Sequence, residues 1–263
     1  MSWLITIRRA ALVLLMLSFS SLSTASDLER EKRLSDQIID AIFDGEPFFL
    51  EADGHEFLSI YMEADDSASE RAVLLIHGRG YHPDWEQVVQ PLRVGLTEHG
   101  WNTLSIQMPV LAKDAKYYDY IPTFGEGLTR IDAALQYLKS KGNKQVVMIA
   151  HSCGVHLSMA WIGERGTSAI DGYIGIGMGA TDYKQPMPEP FPFDNIDVPV
   201  FDLYGAMDYP AVLNGAPERW AAIKEQAQSR QLMLPGADHY MSEQDKVLVE
   251  TVADWLGQTF ADR

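Results

Sequence analysis

The sequence has a single cysteine, Cys153, so no disulfide can form within the chain. It lacks a C-x-x-C pair, an H-E-x-x-H segment and a calcium-binding loop, so nothing in it suggests a metal site, and we expect no cofactor. Positive charge is scarce: 21 Lys and Arg stand against 37 Asp and Glu, a net charge of −16. Such a surface repels phosphate backbones and anionic headgroups, which argues against a nucleic-acid partner. Repeats and low-complexity tracts are missing too, and no apolar run reaches the ~20 residues of a membrane-crossing helix.

The most conspicuous apolar run is at the start. Met1 to Arg9 carries only Arg8 and Arg9 as charges, Ala10 to Leu17 is unbroken apolar sequence, and Ser18 to Ser26 is small and polar. A basic start, an apolar centre and a Ser23-Thr24-Ala25 exit form the pattern of a secretory signal peptide cleaved after Ala25. We therefore expect residues 1–25 to be removed and the product to be periplasmic or secreted, with no stable membrane insertion. If the segment is kept, the chain is anchored to the inner membrane. The segment contains two arginines and no acid, so its loss takes the net charge from −16 to −18. Residues 26–263 are enough for one domain with a sizeable core, whose oligomeric state stays open.

Periodicity divides this domain into alternating strands and helices. Asp27 to Phe43 reads as a leading helix and Glu56 to Met62 as an edge strand. Arg71 to Ile76 is a buried strand running into His77-Gly78-Arg79-Gly80. Trp85 to His99 is a helix stopped by Gly100, and Thr103 to Met108 is a strand closed by Pro109. Helices follow at Leu128 to Lys141 and Val155 to Gly163, with a strand at Gln145 to Ala150 between them. Strands at Tyr173 to Met178, Pro199 to Tyr204 and Gln231 to Leu234 alternate with helices at Pro217 to Ser229 and Lys246 to Phe260. This order implies an α/β fold, a doubly wound and mostly parallel sheet with helices on both faces. Chemistry then gathers at the C-terminal ends of the strands. Thr181 to Asp197 is a short irregular cap loop holding four prolines, and it reads equally as a lid or as a stiff connection.

Each chemically suggestive motif follows a strand. Ala150-His151-Ser152-Cys153-Gly154 joins a strand to a helix, the setting of a nucleophile elbow, with Ala150 where the G-x-S-x-G pattern has glycine. Ser152 is the candidate nucleophile, and helix capping is its other reading. His239 follows the last strand in Pro235-Gly236-Ala237-Asp238-His239 and is the candidate base. Asp208, just beyond Gly205, is the candidate acid, with Asp202 as its rival. The order Ser, Asp, His along the chain is the one this arrangement requires. Backbone amides of Arg79 and Cys153 are candidate oxyanion donors, the second at a helix start. His77 reads as a brace for its loop.

Over the whole chain after residue 25 the sequence resembles the α/β-hydrolase superfamily. Within it, the sequence is similar to a bacterial family known as domain of unknown function 3530. The likeness rests on the exported start and Val73-Leu74-Leu75-Ile76-His77-Gly78-Arg79-Gly80. It continues through His82-Pro83-Asp84-Trp85, His99-Gly100-Trp101-Asn102-Thr103-Leu104-Ser105 with Pro109, and the elbow. The resemblance implies an α/β-hydrolase domain over residues 26–263 that transfers acyl groups by Ser152, His239 and Asp208. The expected activity is hydrolysis of an ester-type bond in a small acyl substrate; the alternative is a catalytically silent binding protein of the cell envelope. We expect Phe191, Phe193 and Tyr118 to wall the substrate pocket and to favour short-to-medium acyl esters.

Overall fold

The computed structural model describes residues 26–66 and 68–260; the expected signal peptide lies outside the described residues. The elements in chain order are α1 (Leu28–Ala41), β1 (Glu46–Ala52), β2 (His55–Met62), β3 (Arg71–Ile76), α2 (Val89–Gly95) and β4 (Asn102–Ile106). Next come α3 (Tyr117–Tyr120), α4 (Phe124–Ser140), β5 (Gln145–His151), α5 (Cys153–Arg165) and β6 (Gly172–Ile176). The chain continues with β7 (Val200–Met207), α6 (Pro210–Ile223), β8 (Arg230–Asp238) and α7 (Asp245–Phe260).

The strands form one sheet in the order β1-β2-β4-β3-β5-β6-β7-β8. β1, β2 and β4 pair antiparallel, and every pairing from β4 to β8 is parallel. The parallel strands are apolar along their length because helices cover both faces. In β3, Ala72, Leu74 and Ile76 join the core beneath α4 and α5, while Val73 and Leu75 join the core beneath α2 and α7. β5 divides in the same way: Val146, Met148 and Ala150 face one core, Val147 and Ile149 the other. The two halves of the sheet therefore share a rigid, doubly covered centre, and β3 and β5 deliver their C-terminal ends side by side.

Three sequence expectations shift. Glu56 to Met62 is second from the edge, because β1 lies outside it through a hairpin in which Ala52 faces His55. The turn is Asp53-Gly54, both at positive φ (52° and 77°), the pairing that suits a two-residue hairpin. The expected helix over Trp85 to His99 is regular only from Val89 to Gly95, and a tighter turn runs from Leu96 to His99. It starts late because Tyr81 stacks on Trp85 at 4.0 Å, which holds the preceding segment as a loop, and Val88 turns at φ 66° to enter the helix. The helix expected from Pro217 begins at Pro210, a residue suited to a first turn, and carries Pro217 in its interior.

The N-terminal helix is bolted to the body. Asp27 Oδ1 caps α1 by accepting the Arg30 amide at 2.9 Å. Inside, the buried Arg130 of α4 donates to Glu31 Oε2 at 3.0 Å and Oε1 at 3.2 Å. Both side chains are withdrawn from water, so removing either would leave a buried charge unpaired, a loss of about 3–5 kcal/mol.

Candidate active site

Ser152 sits between β5 and α5 with φ 55° and ψ −122°, a sharp turn that lifts its hydroxyl above the sheet edge. Its amide donates to Ile176 O of the neighbouring β6 at 2.9 Å, and its carbonyl accepts from the Val155 amide at 3.0 Å. The turn is pressed against the end of β3. A Cβ on Gly154 would lie 2.5 Å from His77 O and 2.9 Å from Ile76 O, backbone atoms that cannot step aside. Ala150, which replaces the usual first glycine, is buried within the sheet without strain, since its methyl faces the core.

Loops after β7 and β8 bring two more groups to this point. Ser152 Oγ donates to His239 Nε2 at 2.8 Å, and His239 Nδ1 donates to Asp208 Oδ1 at 2.7 Å. Asp208 Oδ1 also accepts the Tyr209 amide at 2.6 Å, which fixes the carboxylate plane. An acceptor on Nδ1 keeps the proton there and leaves Nε2 with a lone pair facing the serine. The imidazole is held in place from below as well: a Cβ on Gly177, at φ 66°, would meet His239 Cε1 at 2.7 Å. Asp238, one residue before, shapes the loop by accepting the Tyr240 and Ser242 amides at 2.9 and 3.0 Å.

Asp202 is elsewhere. It is buried in β7, where Arg219 Nε donates to its Oδ2 at 2.8 Å and Gln231 Nε2 donates to the same atom at 2.7 Å. It forms an ion pair beneath α6 and does not contact His239.

The loop after β3 lies against Ser152: a Cβ on Gly78 would approach Ser152 Cβ to 3.2 Å. Arg79 and Cys153 both border the cavity that opens over Ser152. As the first residue of α5, Cys153 has an amide with no partner within its helix. The loop is braced on three sides. His77 Nδ1 donates to Gly78 O at 2.7 Å while its Nε2 accepts the Met108 amide at 2.9 Å. From α1, Arg30 Nη2 donates to Gly80 O at 3.0 Å. The Arg79 guanidinium pairs with Asp182, whose Oδ2 also accepts the Tyr117 amide at 2.7 Å. That pairing holds the Asp182 carboxyl below the usual carboxylate range.

Two histidines beside the elbow hold backbone. His151 Nε2 donates to His239 O at 3.0 Å, tying the elbow strand to the loop after β8. His156 Nε2 donates to Ala180 O at 2.9 Å and its Nδ1 accepts from Tyr117 Oη at 3.3 Å. Burial pushes His77 and His151 down to about 3 and His156 down to about 4. All three are therefore neutral in the folded chain, whereas their unfolded counterparts protonate near 6.5. Below about pH 6.5 the unfolded chain takes up protons that the fold refuses, so stability falls with pH down to about pH 3–4. The expected loss is on the order of 1 kcal/mol per pH unit for each histidine. Melting temperatures between about pH 7.5 and 5.5 measure it, and His156→Gln is expected to flatten the slope by one histidine's share. An unchanged slope in that variant would exclude His156 as a source.

The expected pocket residues are not at the cavity. Phe191 packs on His156 at 5.2 Å, Phe193 packs edge-on to Phe191, and both lean on the core over α5. They belong to the scaffold because Ile196 and Pro192 draw that part of the loop onto the outer helices, where Pro192 lies over Gly163. Tyr118 turns outward, donating from Oη to Pro186 O at 2.9 Å, while its amide donates to Gln185 Oε1 at 3.1 Å. The irregular segment thus divides in two: residues 181–186 are stitched to α3 and wall the cavity, and the rest covers α5. The actual walls are Tyr81, Tyr117, Tyr183, Tyr209 and Tyr240 around a volume of about 660 Å³. Tyr209 directly follows Asp208 and Tyr240 directly follows His239, a proximity that the sequence displays openly. Among the described residues, no group of histidine, cysteine and carboxylate side chains is arranged to hold a metal ion.

Comparison with solved structures shows that this architecture is the α/β-hydrolase fold. Est1E from Butyrivibrio proteoclasticus superposes with a TM-score of 0.66 at 16% identity, covering 83% of this chain and 100% of its own. The esterase Pf2001 of Pyrococcus furiosus gives 0.63 at 16% identity, covering 84% and 95%. XC6422 from Xanthomonas campestris, an α/β serine hydrolase without a lid, gives 0.60 at 11% identity, covering 83% and 96%. Residues 23–120 match the family described as protein of unknown function (DUF3530), a span that ends before the elbow. No curated protein matches the sequence.

Proposed function

We propose that this chain is an exported serine hydrolase that cleaves an ester-type acyl bond. The observation that carries the reading is the unbroken chain from Ser152 Oγ to His239 Nε2 at 2.8 Å and from Nδ1 to Asp208 at 2.7 Å, opening into a cavity. A hydroxyl is a weak nucleophile near neutral pH, and this arrangement supplies the base that activates it. His239 takes the Ser152 proton as Oγ attacks the acyl carbon, and Asp208 steadies the imidazolium that results. The tetrahedral oxyanion lies between the Arg79 and Cys153 amides, each worth about 3–4 kcal/mol in sites of this kind. His239 then returns the proton to the departing alcohol. Water, activated by the same imidazole, attacks the acyl-enzyme and frees the acid. The esterases among the structural neighbours lend this reading support.

The test is labelling with a fluorophosphonate, which phosphonylates only an activated serine. Peptide mapping is expected to find the adduct at Ser152. An unlabelled protein, or an adduct at another serine, would overturn the reading. Export is tested separately, by the mass of the protein recovered from the periplasm or medium: a chain starting at Ser26 is expected, and an intact Met1 would exclude cleavage.

A further inference from the structure

We infer that the cavity beside Ser152 selects esters with a planar aromatic ring next to the scissile bond over esters with alkyl chains. The inference rests on the hydrolase reading for the reaction, but the selectivity is a property of the walls.

Five tyrosines, Tyr81, Tyr117, Tyr183, Tyr209 and Tyr240, supply the large apolar surfaces of the lining, beside the polar side chains of Arg79, Lys184, Gln185 and His239. The other apolar contributions come from alanine and proline. No leucine, isoleucine, valine, methionine or phenylalanine lines the cavity. An alkyl chain gains only the non-directional burial of its area, and this cavity has no branched aliphatic side chain to close around it. A flat ring gains in addition from the quadrupoles of other rings, provided that it meets them face-on with an offset or edge-on.

The tyrosines stand in an arrangement that provides both geometries. The Tyr209 ring lies against the face of His239, with centroids 4.4 Å apart, and Tyr240 meets the same imidazole edge-on at 5.3 Å and 78°. Tyr209 and Tyr240 are at 89° to one another, and Tyr81 stands at 63° to Tyr240, each pair with centroids 6.4 Å apart. A guest ring placed in this corner meets a face on one side and an edge on the other, beside the nucleophile. The corner is also fixed before binding. Tyr81 is stacked on Trp85, and the hydroxyls of Tyr209 and Tyr240 are bonded at 2.8 Å. Rings already locked in place lose little freedom when a ligand arrives, so their contacts appear in the affinity. These hydroxyls, with the Arg79–Asp182 pair across the cavity, can also serve polar substituents on the guest ring.

The experiment uses matched esters of equal carbon count, so that hydrophobic area is held roughly constant. Methyl hydrocinnamate is compared with methyl nonanoate, and benzyl acetate with heptyl acetate, covering both sides of the bond. In at least one pair kcat/KM is expected to favour the aromatic member by about tenfold or more, the yield of one or two ring contacts. Tyr81→Leu is expected to reduce that ratio about threefold, a comparison within one protein that a general loss of stability does not move. The same pairs are titrated by calorimetry against Ser152→Ala, which cannot turn them over. Aromatic-selective binding by that variant, with no hydrolysis by the parent, would uphold the selectivity and sink the hydrolase reading. Hydrolysis with equal or greater efficiency on both alkyl members would overturn the inference and leave the hydrolase reading standing.

Discussion

Ser152→Ala is expected to lower kcat for any ester that the protein cleaves by about 10⁶ while moving the melting temperature by no more than a degree or two. The variant removes one hydroxyl whose bond is to His239 Nε2, at the edge of an open cavity where water can replace it. Alanine tolerates φ 55° no worse than serine, so the elbow itself stays as strained as before. Loss of the nucleophile leaves only the cavity and its amides, which can polarise a carbonyl but not form an acyl-enzyme. Steady-state kinetics and calorimetric melting on the same preparation settle the point. A variant retaining a tenth of the parent's kcat would remove Ser152 from the role of nucleophile, and one melting far below the parent would show that the hydroxyl also braces the elbow.

The second large effect concerns the acid. Asp208→Asn is expected to reduce kcat by about 10⁴ with the fold intact. The physical reason is tautomeric. The carboxylate accepts from His239 Nδ1, whereas an amide nitrogen turned toward the ring would favour a proton on Nε2, the atom that must receive one from Ser152. Asp202→Asn provides the contrast. Its carboxylate neutralises Arg219 in a buried pair, so the substitution is expected to cost about 3–5 kcal/mol of stability and to spare kcat. If the two variants exchange these phenotypes, the acid is Asp202.

Most of the doubly wound sheet was legible because its strands are short apolar runs bounded by glycine and proline, and because each motif follows a strand. Ser152, Asp208 and His239 stand out for the same reason, and the structure brings those three together. What the reading lost, it lost to tertiary context. β1 does not stand out in the sequence although Asp53-Gly54 is a strong hairpin signal, since Glu46 to Ala52 mixes charged and aromatic residues with no clean alternation. Pro217 reads as a helix boundary, yet packing around Val212, Ala216 and Ile223 carries α6 through it. Aromatic density alone points to the wrong part of the loop, for Phe191, Phe193 and Tyr118 do not line the cavity. Phe191 and Phe193 are conspicuous in a proline-rich loop, but the rings at the cavity include Tyr209 and Tyr240, neighbours in sequence of Asp208 and His239. A strand-end loop that positions a polar side chain necessarily puts the next residue at the cavity rim.

The bond from Arg30 to Gly80 ties the earliest described helix to the loop that flanks Ser152, and this has a consequence for the order in which the molecule is assembled. Near it in sequence, helix α1 packs Ile38 on Leu58 and Ile60 of β2 and sets Glu31 3.4 Å from His55 Nε2. It is held at Gly80, at Leu111 and, through Glu31, at Arg130, contacts separated by 50, 81 and 99 residues. Closing loops of that length has an entropic cost that local structure does not offset, so such contacts form after the sheet they dock upon. Whichever end leaves the ribosome first, the Glu31–Arg130 pair must wait for α4. The bond from Arg30 to Gly80 is thus among the last to form, and a chain caught before that moment has Ser152, His239 and Asp208 in reach of each other while the Arg79 loop is held by His77 and Asp182 alone. Refolding followed simultaneously by tryptophan fluorescence and by fluorophosphonate reactivity would separate the two events in time.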